Sequence, residues 1–339
     1  MRYLNFNNLL KVLDKKKPEH STLFEFSMCN ELLTKWAGEE AFANNDGLDE
    51  KTIENKIIVS GYKNLGYDYA NIVINNFTFK KSEHNKKETI SINEGEGIWD
   101  RESYKQYNFN NPDNYSYKGL DILSDLLIDN MKLTIYSPGG LLENVIAIVG
   151  YENLCMMLFD DEALVAELFD EVGARLYRYY ENCIKHKSIG ALVANDDWGF
   201  KTQTMLPPEI LRKYVFPWHK KLAYLAHSNN KPAILHSCGY PCEIMEDIIE
   251  NMKYDGKHSY EDSIVRVEKA YSLWGKRIAI LGGIDLNFLC TKTPVEIGLR
   301  AKGLLELTKS VGYALGSGNS IPYYIPQENY NAMREMAFI

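Results

Sequence analysis

The chain has 339 residues and a mass of 39.0 kDa, about twice an average domain, so it holds two domains or one large single-core fold such as an α/β barrel. Hydrophobic residues at 45% and charged residues at 25% match the globular average and exclude a disordered, collagenous or coiled-coil chain. A net charge of -8 with a pI near 5.5 excludes a protein that coats nucleic acid and points to a small-molecule partner.

The N-terminal stretch MRYLNFNNLLKVLDKKKPEH breaks its apolar positions with Asn, Asp and Lys, so it lacks the continuous apolar region of a secretion signal, and a cytoplasmic protein is expected. No run approaches the roughly 18 apolar residues of a membrane span, so no membrane partner is expected. Strand-length apolar runs then recur: TLFEFS (22–27), NIVINN (71–76), KLTIYS (132–137), ALVAND (191–196), PAILHS (232–237), KYDGKH (253–258), RIAILG (277–282) and YALGSG (313–318). Between them lie amphipathic segments such as DDEALVAELFDEVGARLYRYYENCI, apolar at every third or fourth position. Alternating strands and helices mean a parallel sheet, and eight such units predict an α/β protein built as a TIM (β/α)8 barrel. No G-x-G-x-x-G follows an early strand, which weighs against a dinucleotide-binding sheet. Residues 1–339 are expected to form one domain. The Asn- and Tyr-rich stretch 89–117 reads as an insertion in the N-terminal half with one hairpin, serving as a lid or as a solvated excursion.

Catalytic groups of such a barrel sit where its strands end. After ALVAN come Asp196, Asp197 and Trp198; after PAIL come His236 and Cys238; after RIAILGG comes Asp285; and after YAL come Ser317 and Asn319. An imidazole and a thiolate two residues apart at a strand end are the chemistry of a zinc site, which wants about three protein ligands and an open position. A His satisfied by backbone and a Cys packed as a small hydrophobe is the plainer reading. Cys242 is either a further ligand or a thiol at a helix start. Neighbouring strand side chains point to opposite faces, so one of Asp196 and Asp197 at most is expected in the mouth, to move a proton, orient a ligand or bind substrate. Each, like Asp285, could instead cap the next helix. His258 and Glu261, in K-H-S-Y-E-D-S, offer another imidazole and carboxylate, and Glu25 lies near the end of the first strand. The six cysteines are scattered and read as reduced thiols.

From about Asn195 to Met333 the chain resembles the uroporphyrinogen decarboxylase superfamily, which includes corrinoid-linked methyltransferases. The resemblance rests on N-D-D-W-G, L-H-S-C-G, K-H-S-Y-E-D-S-I, I-A-I-L-G-G-I-D and Y-A-L-G-S-G-N-S-I-P, followed by P-Q-E-N-Y. It implies a TIM barrel. True uroporphyrinogen decarboxylases carry an arginine-rich N-terminal motif to hold the tetrapyrrole carboxylates, whereas KKKPEHSTLFEFSMCNELLTKWAG has no Arg, and Ser317 replaces the His of their G-H-G motif. The methyltransferase branch holds zinc by a His-x-Cys pair and a later Cys; His236 and Cys238 match the pair, and Ser317 stands in the third place. A third ligand must then come from His258, Glu261, Asp197, Cys242 or Glu25. The resemblance implies zinc-dependent transfer of a methyl group between a small methylated compound or thiol and a corrinoid. No D-x-H-x-x-G motif is present, so the corrinoid is expected on a partner protein. Asp196, Asp197 and Asp285 are the expected acid and base groups, with Trp198, Ser317, Asn319 and Glu25 against substrate, and the resemblance admits a homodimer. The alternatives are a decarboxylase of uroporphyrinogen or a smaller carboxylate, and a catalytically silent ligand-binding barrel.

Overall fold

A computed structural model describes residues 3–79, 92, 93, 95 and 97–339. Among the described residues seven strands form one sheet: β1 (Tyr69–Ile72), β2 (Lys132–Ile135), β3 (Ile189–Asn195), β4 (Ala233–His236), β5 (Gly256–His258), β6 (Ala279–Leu281) and β7 (Tyr313–Ala314). Every neighbouring pair is parallel and the spatial order follows the chain, β1 to β7. Helices such as Leu141–Val149, Glu162–Ile184, Phe216–Ser228 and Pro294–Thr308 carry the chain between strands. A sequentially ordered, curled parallel sheet with crossover helices is the arrangement of a TIM-like barrel. Its strands are almost wholly buried, as a sheet covered on both faces requires.

The expected eight strands are corrected to seven, because TLFEFS does not form a ladder. Leu23 makes one isolated parallel bridge to Leu315, and Met28 makes another to Ile321. On the β1 side, side chains occupy the backbone groups that a ladder would pair. Tyr69 Oη accepts from Glu25 N–H at 2.8 Å and donates to Glu25 C=O at 2.7 Å, and Asn71 Nδ2 donates to Phe26 C=O at 2.7 Å. These bonds satisfy the buried backbone, so segment 22–28 fills the gap between β7 and β1 without strand geometry. The second run is displaced to Tyr69–Ile72, and the sixth is shortened to Gly256–His258.

Of the expected insertion, residues 89–91, 94 and 96 lie outside the described residues. The described remainder holds no hairpin but a short helix, Arg101–Gln106, capped by Asp100 and Ser103, and a 3-10 turn, Pro112–Asn114. No single described helix is long and apolar enough to cross a membrane.

The closing seam leaves no room for a side chain at Gly316, where a Cβ would lie 1.8 Å from the Phe24 carbonyl oxygen. Gly316→Ala is expected to lower unfolding stability by about 1–3 kcal/mol, because backbone must move at the seam. Urea denaturation measures it, and an unchanged midpoint would show that segment 22–28 is not packed against β7.

Candidate functional site

The ends of β3 and β4 bring Asp197, His236 and Cys238 together, with one donor atom from each within 4.8 Å of the others. Strand alternation separates the two adjacent aspartates. Asp196 is fully buried and turned to structure: it accepts Leu142 N–H (3.0 Å) and Glu143 N–H (3.1 Å), the Trp198 indole N–H (2.8 Å), and lies 3.0 Å from His219 Nε2. It thereby ties β3 to the start of helix Leu141–Val149. Gly140 makes this approach feasible, since a Cβ there would meet Asp196 Oδ1 at 2.2 Å. Trp198 is buried beside Phe216 and His219. Asp197 faces the cluster and accepts Cys238 N–H at 2.7 Å. Burial is the main cause that raises its pKa.

His236 lies flat on Phe26, with ring centroids 3.8 Å apart, and its Nδ1 is 2.7 Å from His258 Nδ1. The opposite nitrogen of His258, Nε2, sits 3.1 Å from the Ser317 carbonyl, which can only accept. Burial lowers the pKa of both imidazoles, His258 to about 3, so both are neutral at pH 7. The proton assignment follows from these contacts. His258 carries its proton on Nε2 and presents a bare Nδ1; His236 therefore donates from Nδ1 and keeps a free lone pair on Nε2. That lone pair faces Cys238 Sγ at 3.7 Å. In a zinc site, a second group that fixes the tautomer and aim of the liganding imidazole is the common arrangement.

Cys238 Sγ also receives the Ser259 hydroxyl at 3.4 Å and Asn319 Nδ2 at 3.3 Å, and burial pushes its thiol pKa up. Asn319 and Glu261 share a hydrogen bond of 3.3 Å and line an open groove of about 640 Å³ with Lys201, Asp262, Asp285 and Phe288. Burial raises the Glu261 pKa. Asp285 caps helix Leu286–Thr291 and accepts Asp262 N–H at 2.9 Å. Ser317 is buried against Glu25, on which its N–H donates at 2.8 Å. Cys242 is exposed and stands outside the three-residue cluster, as do His258, Glu261 and Glu25.

Two side chains here escaped the sequence reading. Glu143, in the first turn of helix Leu141–Val149, accepts Gly140 N–H at 2.7 Å; burial and then the charges of Asp197 and Asp196 raise its pKa to about 8. Its signal was a glutamate three residues past P-G-G at a strand end. Lys257 is buried in β5, donates to the Ser237 and Ser259 carbonyls at 3.1 and 3.0 Å, and lies 4.6 Å from the Tyr260 ring centroid. Burial lowers its pKa to about 8. Its signal was a lysine inside a strand beside a mouth histidine.

The sequence model of the uroporphyrinogen decarboxylase family matches residues 98–337. No curated protein matches the chain. Among solved structures, a methyltransferase from Methanosarcina mazei shares the fold with a TM-score of 0.69 at 15% identity, over 99% of both chains. A protein from Listeria monocytogenes described as a candidate vitamin-B12-independent methionine synthase gives 0.51 at 14% identity, over 94% of this chain and 95% of its own.

The proton assignment is testable by nitrogen-15 NMR at pH 7, which should show His236 protonated on Nδ1 and His258 on Nε2; the reverse at either ring would contradict it. The buried acids and imidazole also tilt stability in opposite directions. Glu25, raised by burial from 4.5 to about 8, holds more protons folded than unfolded, so its stabilising contribution is complete below pH 4.5 and is lost as pH rises through about 8. His258, lowered from 6.5 to about 3, contributes fully above pH 6.5 and loses that contribution as pH falls toward 3. Glu25→Gln should reduce the loss of urea stability between pH 4.5 and 8, and a slope equal to that of the unaltered protein would contradict the shift.

Proposed function

The chain belongs to the uroporphyrinogen decarboxylase family, and we propose that it is a zinc-dependent methyltransferase, moving a methyl group between a small methylated compound or thiol and a corrinoid held by a separate protein. The observation that carries the reading is the gathering of Asp197, His236 and Cys238 at adjoining strand ends. One carboxylate, one imidazole and one thiolate are a fitting donor set for zinc that leaves a coordination position for substrate. The likeness to the methyltransferase of Methanosarcina mazei supports the same reading.

His236 Nε2, Cys238 Sγ and Asp197 would hold the metal. Asp197 Oδ1 is occupied by Cys238 N–H, which leaves Oδ2 as its ligand atom. When bound, zinc supplies Lewis acidity that lowers the pKa of a thiol acceptor or polarises the heteroatom of a methyl donor. His258 keeps the His236 lone pair aimed at the site, and Cys238 would give up its S–H proton when the metal binds. The groove beyond Asn319 and Glu261 gives a small substrate its approach. Lys257 places a buried positive charge that attracts Cys238 and Asp197, which favours their ionised forms.

Decarboxylation of a polycarboxylate is disfavoured by charge. Each arginine among the described residues already faces a carboxylate: Arg300 is bidentate on Asp262, Arg277 on Glu246, and the others are paired with Asp or Glu, Arg334 from a buried position. None is free to clamp an acetate or propionate group.

Protein purified without chelator is expected to carry about one zinc per chain, lost in both His236→Ala and Cys238→Ala together with methyl transfer. Zinc retained by either variant would sink the site. Zinc added to the metal-free protein at pH 7 should release about one proton per metal, because the buried Cys238 thiol is protonated beforehand; indicator-dye titration reads this, and no release would contradict it. Formation of coproporphyrinogen from uroporphyrinogen would overturn the choice of reaction.

A further inference from the structure

Ser317 Oγ lies against two oxygens, Glu25 Oε2 and the Asn319 carbonyl. A hydroxyl has one proton. If both neighbours only accept, one contact sets lone pair against lone pair inside a fully buried site, at the cost of an unmade hydrogen bond. A proton on Glu25 Oε2 removes the conflict: Glu25 donates to Ser317 Oγ, and Ser317 donates to the Asn319 carbonyl. Glu25 Oε1 meanwhile accepts Ser317 N–H at 2.8 Å, so each of these polar atoms is satisfied. The phenols of Tyr62 and Tyr69 hold the Glu25 backbone, and among the described residues no lysine or arginine is hydrogen-bonded to its carboxyl. Burial, which raises its pKa to about 8, agrees with the geometric count.

The chain of donors ends at the sulfur. Asn319 Oδ1 accepts Ser320 N–H at 2.7 Å, which identifies the other amide atom as the nitrogen. That Nδ2 spends its two protons on Cys238 Sγ and Glu261 Oε1, both at 3.3 Å. We propose that Asn319 is the positioning residue for the Cys238 sulfur, setting its aim and its donor strength, and that an uncharged Glu25, acting through Ser317, holds Asn319 in place. Asn319 is then a tuner of the thiolate from outside the ligand set, because an N–H directed at sulfur draws electron density from it. The assignment rests on Cys238 as a metal ligand for its effect on the metal, but its hydrogen-bond chain stands without one.

The test uses the full chain loaded with cobalt(II), whose sulfur-to-metal charge-transfer absorption reports the electron density on Cys238. Asn319→Ala should move this band to lower energy. Ser317→Ala should move it the same way although Ser317 does not touch the sulfur, while Glu25→Gln, which keeps a donor toward Ser317 Oγ and an acceptor for Ser317 N–H, should leave it in place. Infrared difference spectra at pH 7 should show a neutral carboxylic acid carbonyl that disappears in Glu25→Gln. A band unmoved in Asn319→Ala, or no acid carbonyl lost in Glu25→Gln, would overturn the inference. If cobalt binds nowhere, the metal reading fails separately. The Asn319 side-chain amide resonance then decides in metal-free protein: it should shift in both Cys238→Ala and Ser317→Ala, and constancy would overturn the inference.

Discussion

Two imidazole nitrogens 2.7 Å apart must be one donor and one acceptor, and at His236 and His258 that requirement links the barrel seam to the mouth. The Ser317 carbonyl decides which is which. It accepts both Gly283 N–H at 2.8 Å and His258 Nε2–H, so the same residue extends the pairing of β6 with β7 and fixes the tautomer of His258. Through His258 it fixes His236, and through His236 it aims a lone pair at Cys238. A change at the closing seam therefore reaches the candidate metal site through three hydrogen bonds and no flexible loop.

Asp196 does comparable work on the other side of the mouth. Its oxygens gather the first amides of helix Leu141–Val149, an indole and an imidazole, which binds the end of β3 to the next layer. Its neighbour Asp197 can then face Cys238 from a rigid strand end. Rigid support of this kind is what a metal site or an active site needs, since misplacement of about 1 Å is costly to either. Family membership alone fixes the architecture and not the reaction. The donor set and the neutralised arginines are what separate the readings of function.

Much of this was legible in the sequence, and for identifiable reasons. Period-two strands end in polar residues at a barrel mouth, so His236, Cys238, Asp197 and Asn319 could be placed there from the chain order, and the opposed faces of Asp196 and Asp197 follow from the strand period. TLFEFS reads as a first strand because it is an apolar run of strand length, while the groups that replace its ladder are Tyr69 and Asn71, some 45 residues away. Glu143 and Lys257 were missed because a glutamate in a helix and a lysine in a short run look like solvated positions until burial is known. The partnership of Glu25 with Ser317, 292 residues apart, has no sequence signature at all.

X-ray absorption at the zinc edge of protein purified without chelator tests the central claim most directly, because it counts sulfur. The proposed zinc site calls for one sulfur near 2.3 Å and nitrogen or oxygen ligands near 2.0–2.2 Å, with the sulfur lost in Cys238→Ala. Absence of bound metal, or a shell of two or more sulfurs, would contradict the site built from Asp197, His236 and Cys238.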